Sequence, residues 1–258
     1  MRAISLAAAA LALALSACTT TQAPPAPTIP GFLTAAVTDP ARPATDRERD
    51  AERRPAELLA WAGVTPGMKI ADLIPGGGYF TRIFARAVGP TGRVYAYVPD
   101  ELTKLANRPP AVNAIAADPV YGNVRVIVRT LPNFSAPEKL DMVWTSLNYH
   151  DMHATFMGPV NVSAVNRAVF NALKPGGTYI VIDHAGNPGT GITQVNNLHR
   201  IDPAVVRREV EAAGFIFDGE STMLRNPGDA RTLTVFDEQI RGSTDQFVYK
   251  FRKPRGAR

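Results

Sequence analysis

The sequence predicts an α/β fold built around a mainly parallel sheet. Three observations carry that prediction. Residues 69–85 read as a buried strand, a glycine turn and an amphipathic helix in immediate succession. From there to the C-terminus strand-like and helix-like segments alternate, the pattern of βαβ units. The stretch from Thr45 onward is also the size of one domain.

Taken in chain order, Met1-Arg2 is a short basic start, and Ala3 to Leu15 is an apolar run. That run is too short for a permanent bilayer span and has the form of a secretory signal. It closes on Leu15-Ser16-Ala17-Cys18, which resembles the lipobox of bacterial lipoproteins, where the cysteine becomes the lipidated first residue. A plain secretory signal with a coincidental cysteine is the alternative reading. Cys18 is the only cysteine, so the body of the chain has no disulfide framework and no thiol ligand or nucleophile. The proline-rich residues after Cys18 suit an extended tether. The expected division is signal 1–17, tether 18–44 and folded domain 45–258.

Within that domain, Thr45-Asp46-Arg47-Glu48 fits a capping box. Pro55 to Ala62 fits a helix with Pro at its first turn and Gly63 past its end. Met68, Ile70, Leu73 and Ile74 supply an apolar run of strand length. Gly76-Gly77-Gly78 permits a sharp turn and close approach of a ligand to main-chain N–H groups. Phe80, Ile83, Phe84, Ala87 and Val88 then repeat on one face of a helix. Further strands are expected at Arg93–Val98, at the alternating Val124, Val126 and Val128, at Asp141–Leu147, at Thr178–Asp183 and at Gln246–Arg252. Val162, Val165, Val169, Phe170 and Leu173 form a helical stripe stopped by Pro175-Gly176-Gly177. Asp202-Pro203 opens another helix, with Gly214 as its cap.

The net charge of +5 is spread along the chain, and the densest basic cluster is the tail Lys250–Arg258, which we read as a solvated terminus. Aromatic–basic interleaving is absent, so no nucleic-acid partner is expected. A G-x-S-x-G nucleophile elbow is missing. A dinucleotide fingerprint fails where Thr81 stands in place of its third glycine.

Asp72-Leu-Ile-Pro-Gly-Gly-Gly-Tyr-Phe-Thr81 resembles the first motif of class I S-adenosylmethionine-dependent methyltransferases. Asp141-Met-Val-Trp resembles the opening of their fourth strand. Leu173-Lys-Pro-Gly-Gly177 with Tyr-Ile-Val-Ile-Asp183 resembles the turn into their fifth. His199-Arg-Ile-Asp and Glu211-Ala-Ala-Gly-Phe215 are similar to the helix and turn beyond that fifth strand. The resemblance implies a Rossmann-like, doubly wound, seven-stranded sheet with the last strand antiparallel, and S-adenosylmethionine lying over the glycine turn. It implies cofactor contacts from Asp72, Pro75, Gly76, Gly77, Gly78, Tyr79, Phe80, Val98, Asp100, Asn148 and Tyr149. Two positions depart from the pattern. Ile74 stands at the family's first glycine, and Val98 stands where an Asp or Glu accepts from the ribose hydroxyls. Asp100 or Glu101 would have to substitute.

Chemistry is expected on the loops after strands four and five, where His150, His153, Asp183 and His184 lie, with His199 ahead of the next helix. His150 or His184 is the natural base for taking a proton from a methyl acceptor, because imidazole titrates near neutral pH. Asp183 stands beside them. A metal held by His150 and His153 is a weaker reading, and no metal is expected. The implied activity is methyl transfer to a small molecule or envelope component. The alternative is a lipid-anchored, non-catalytic module on the same fold; under either reading the signal is expected to export the chain to the periplasm, anchored to a bacterial membrane at Cys18.

Overall fold

The computed structural model of the protein describes residues 28–256. The expected signal segment 1–17 and Cys18 lie outside the described residues. Seven strands form one sheet: β1 Lys69–Leu73, β2 Arg93–Pro99, β3 Val124–Arg129, β4 Leu140–Ser146, β5 Leu173–His184, β6 Ile216–Ser221 and β7 Gln246–Arg252. Their order is β3-β2-β1-β4-β5-β7-β6, with β7 antiparallel to both neighbours and the other pairings parallel. The doubly wound sheet that the sequence predicts is therefore present.

Among the described residues ten helices surround it: α1 Gly31–Val37, α2 Ala44–Arg47, α3 Asp50–Arg53, α4 Pro55–Ala62, α5 Tyr79–Val88, α6 Asp100–Ala106, α7 Val112–Ala117, α8 Val162–Ala172, α9 Val195–Leu198 and α10 Pro203–Ala212. Central strands are buried on both faces, so their side chains alternate between two apolar layers. Ile70, Val94, Ala96, Met142, Trp144 and Ile180 pack with α1, α4, α5 and α7. Ala71, Leu73, Tyr95, Tyr97, Val143 and Tyr179 pack with α8 and α10. Helix α4 begins on Pro55 and ends at Gly63 in the left-handed region, as its sequence predicts. Asp202 caps α10 by accepting from Ala204 N–H at 2.9 Å.

Four expectations are corrected. The tether does not run to residue 44, because Leu33, Ala36 and Val37 form an i, i+3, i+4 stripe that buries α1 against the layer holding α4 and α5. The capping box at Thr45 does not form: the N-cap position falls two residues earlier, on Pro43, and α2 starts at Ala44 with no side-chain cap. Strand β5 starts at Leu173, so Pro175-Gly176-Gly177 lies within it. The basic tail is not wholly solvated. Lys253 is buried and its ammonium donates to the carbonyls of Phe170 and Leu173 at 2.9 and 3.0 Å, satisfying the otherwise open end of α8. Among the described residues no helix is long and apolar enough to cross a membrane.

Candidate active site

Strand order reverses between β1 and β4, and in open α/β sheets ligands bind in the crevice beyond the carboxyl ends at such a point. Both strands leave the sheet through strained residues there. Ile74 follows β1 with φ 61° and Leu147 follows β4 with φ 62°, a region costly for branched and bulky side chains. The Asn148 side chain ties the two exits together, donating to Ile74 O at 2.9 Å and to Ser146 O at 2.6 Å.

Three cavities meet around this point. The first, about 430 Å³, lies over the glycine turn and is walled by Ile74, Pro75, Gly76, Gly77, Val98, Pro99, Leu102 and Arg108 among others. The second, about 230 Å³, shares Ile74, Pro75, Gly76 and Gly77 with it and adds Asp46, Asp72, Tyr79, Phe80, Arg49 and Arg53. The third, about 420 Å³, shares Arg49, Arg53, Leu147 and Asn148 with the second and adds His150, Asp151, His184, His199, Phe236 and Arg241. The arrangement is one bent cleft of three chambers.

The three glycines do different work. A Cβ on Gly76 or Gly77 would meet nothing within 4 Å, so their backbone faces open space. A Cβ on Gly78 would stand 2.2 Å from the Ile115 side chain, so Gly78 is a packing residue between α5 and α7. Its expected place as a ligand contact is corrected on that ground. Tyr149 is corrected too: it is fully buried, donates to Glu209 at 2.9 Å and accepts from Asn166 at 2.7 Å, away from the cleft. Neither candidate for a replacement ribose acid lines the first chamber. Asp100 pairs with Lys104 at 2.6 Å, and Glu101 accepts from Leu131 N–H at 3.2 Å. Among the described residues that chamber has Arg108 as its one charged wall and no carboxylate.

In the middle chamber Asp72 is buried and accepts from Thr81 Oγ1 at 2.6 Å. Burial lifts its pKa from 3.8 to about 6, against the opposing pull of Thr81 and Arg53. The folded value lies above the unfolded one, so the fold loses stability as pH rises from about 4 to 6 and the loss persists above that window. Asp72→Asn is expected to be more stable than the wild type near pH 7.5 by roughly 1–3 kcal/mol, and equal to it below pH 4. Urea unfolding at the two pH values checks this; equal stabilities at both would refute it. Arg53 lies across from Asp72 with its guanidinium over the Tyr79 ring at 4.3 Å and the Phe80 ring at 5.1 Å. Burial, with Arg49 adding like-charge repulsion, lowers its pKa to about 10.

The third chamber gathers three of the four histidines. Asp183, at the end of β5, is fully buried and accepts from the His150 backbone N–H at 2.7 Å and bonds its Nδ1 at 2.8 Å. His150 Nε2 then points to His199 Nδ1 at 3.3 Å and to Asp151 at 3.1 Å. Burial lowers the His150 pKa, but the charges of Asp183 and Asp151 outweigh it and lift the value to about 10. His184 takes the opposite course. It bonds Thr244 Oγ1 at 2.7 Å, and burial drives it down to about 3 despite Asp183. The expectation of a free imidazole base is thus revised: His184 stays neutral as a hydrogen-bonding wall, and His150 is tied through Nδ1 to Asp183. His153 turns away to Glu209 at 3.1 Å, so the His150–His153 metal pairing is not formed.

The structure thus brings together Asp72, Pro75, Gly76, Gly77, Tyr79, Phe80, Val98, Asn148, His150, Asp183 and His184 along one cleft, with Gly78, Asp100 and Tyr149 set apart. Sequence reasoning missed Arg49, Arg53, Phe236 and Arg241. The two N-terminal arginines come from the short stretch between the expected capping box at Thr45–Glu48 and the helix at Pro55, to which sequence reasoning assigns no role. The other two come from the irregular residues 222–245, which carry no periodicity.

No protein-family model matches the chain. Over 133 residues it is 30% identical to the ubiquinone/menaquinone biosynthesis C-methyltransferase UbiE of Ectopseudomonas mendocina, a match covering 49% of this chain and 46% of that protein. The chain therefore spans about half the length of the curated relative it matches. Its structure superposes on an S-adenosylmethionine-dependent methyltransferase from Aquifex aeolicus with TM-score 0.54 at 17% identity, covering 81% of this chain and 95% of the other. It also superposes on the Burkholderia thailandensis 1,6-didemethyltoxoflavin-N1-methyltransferase, solved with S-adenosylhomocysteine bound, with TM-score 0.52 at 18% identity, covering 82% and 79%. The chain has the Rossmann-like fold of the class I S-adenosylmethionine-dependent methyltransferases.

Proposed function

We propose that the protein is an S-adenosylmethionine-dependent methyltransferase acting on a small, oxyanion-bearing acceptor or an envelope component of that chemistry. The observation that carries the reading is the continuity of the three chambers. A ligand over Gly76 and Gly77 reaches through the Asp72 chamber to the one holding His150. The residues fit the cofactor at most points. The face above Gly76 and Gly77 is open, and Ile74 and Leu102 offer apolar walls for the adenosine. Asp72 offers the cationic methionine end a carboxylate. Val98 leaves the ribose without its acid.

When bound, the cofactor supplies an electrophilic methyl carbon, so the protein's task is to hold a nucleophile in line and keep water out. Arg49, Arg53 and Arg241 line the acceptor chamber, and none forms an ion pair within 4.0 Å among the described residues. Their guanidinium groups favour an acceptor oxygen that arrives as an anion. Phe156 and Phe236 supply an apolar side.

Calorimetric titration of the protein with S-adenosylmethionine tests the reading. Saturable binding is expected, tightened about tenfold or more by Val98→Asp, since a charge-assisted hydrogen bond contributes about 1.5–3 kcal/mol. Absence of heat at millimolar cofactor would instead support the non-catalytic module, the reading that Val98 favours. We also propose that the protein is exported and held at the periplasmic membrane face through a lipid on Cys18, on the strength of residues 1–18. Blocking lipoprotein signal cleavage should retard the band on a gel; an unshifted band would refute the anchor.

A further inference from the structure

We infer that His150, Asp151 and His199 form a binding site for a divalent transition metal of the zinc class, open toward the third chamber. The three donor atoms lie within 4.8 Å of one another. His150 Nε2 is 3.1 Å from Asp151 Oδ1 and 3.3 Å from His199 Nδ1, and the latter two atoms are 3.9 Å apart. Donors arranged tetrahedrally at about 2.1 Å around a zinc ion stand about 3.4 Å apart. Closing the triangle onto one ion therefore needs shifts of only a few tenths of an ångström.

The surroundings have the form of a metal site beyond the three ligands. Metal-bound histidines characteristically give their other ring N–H to a carboxylate, which fixes the tautomer and aims the ligand nitrogen. Asp183 does this for His150 at 2.8 Å, from a position with no solvent exposure. His199 is held at φ 53°, a strained conformation for a non-glycine residue, and its ring packs against Phe236 with centroids 4.8 Å apart. Arg200, the next residue, is locked by a buried pair with Asp229, so His199 has little freedom to swing away. Two imidazoles and one carboxylate are a donor set for Zn²⁺ or Fe²⁺ rather than for Mg²⁺. With three protein ligands, the remaining position opens onto the cavity, as in catalytic rather than structural zinc sites. There it would receive an oxygen of whatever the chamber binds.

The site does not depend on methyl transfer, and its test uses no cofactor. The full chain, stripped with chelator and dialysed, is titrated calorimetrically with Zn²⁺ alone, and Co²⁺ is added separately to read its visible spectrum. One equivalent of Zn²⁺ and a Co²⁺ spectrum of low-coordinate, nitrogen-containing type are expected. His199→Ala and Asp151→Asn should each weaken Zn²⁺ at least tenfold. Asp183→Asn, acting through His150, should weaken it about 10–100-fold. His153→Ala, whose ring is committed to Glu209, should leave it unchanged. Thermal melts establish that each variant folds; Asp151, partly exposed on a short turn, is the substitution the fold tolerates best. No stoichiometric uptake by the wild type, unchanged affinity in a folded Asp151→Asn, or preference for Mg²⁺ over Zn²⁺ would each overturn the assignment.

Discussion

Replacing Arg200 by alanine is expected to destabilise the protein by about 3–5 kcal/mol, the cost of stranding one partner of a buried ion pair. Arg200 and Asp229 both have side chains with no solvent exposure and are joined by two hydrogen bonds, at 2.7 and 3.2 Å. The same guanidinium donates to Leu233 O at 3.0 Å and Ala185 O at 3.2 Å. Asp229 in turn accepts from the backbone N–H groups of Arg231 at 2.8 Å and Asp245 at 2.7 Å. One arginine therefore fixes the irregular residues 222–245 to the end of β5, and with them Phe236 and Arg241 on the cavity wall. Arg200→Ala/Asp229→Asn should recover part of the loss, because no charge is then left buried alone. Urea unfolding of the three proteins measures this. A single-variant loss below about 1 kcal/mol would show that the segment is held by other contacts.

The second large effect belongs to the glycine turn. Gly77→Val is expected to reduce S-adenosylmethionine binding by at least about a hundredfold while leaving stability within about 1 kcal/mol of the wild type. Its Cβ would enter the open space between the first two chambers, and its backbone lies outside the left-handed region, so valine meets no strain. Gly78→Val should do the reverse and unfold the protein, since Gly78 has φ 82° and faces Ile115 and Val112. Thermal melts paired with calorimetry separate the two. Undiminished binding in Gly77→Val would remove the cofactor from the turn.

Most of the sheet could be read from the chain because central parallel strands and their covering helices leave strong periodic signals. The runs at Ile70, Val94, Met142 and Ile180 and the stripe Phe80–Val88 became β1, β2, β4, β5 and α5. Strand β6 escaped because it alternates exposed and half-buried residues around Gly219 at the sheet edge. Helix α1 escaped because its stripe is short and comes after a proline-rich stretch. Within the site, Asp183 and His150 were legible from their position after strands, but their partnership was not. That depends on the turn 150–153 folding back over β5. The role of Gly78 was misread because three adjacent glycines look alike in sequence, and only the packing of α7 tells the third from the first two. Sequence also placed Tyr149 on the site, where its burial beneath Asn166 and Glu209 removes it.

The place of β7 has a consequence for how the chain is assembled in time. Among the described residues it follows β6 in the chain, yet it lies between β5 and β6, bonded to both. Until residues 246–252 leave the ribosome, β5 is an open edge and β6 has no neighbour in the sheet. Closure of the sheet therefore waits on residues 246–252, and the β5 edge stays open until they have been made.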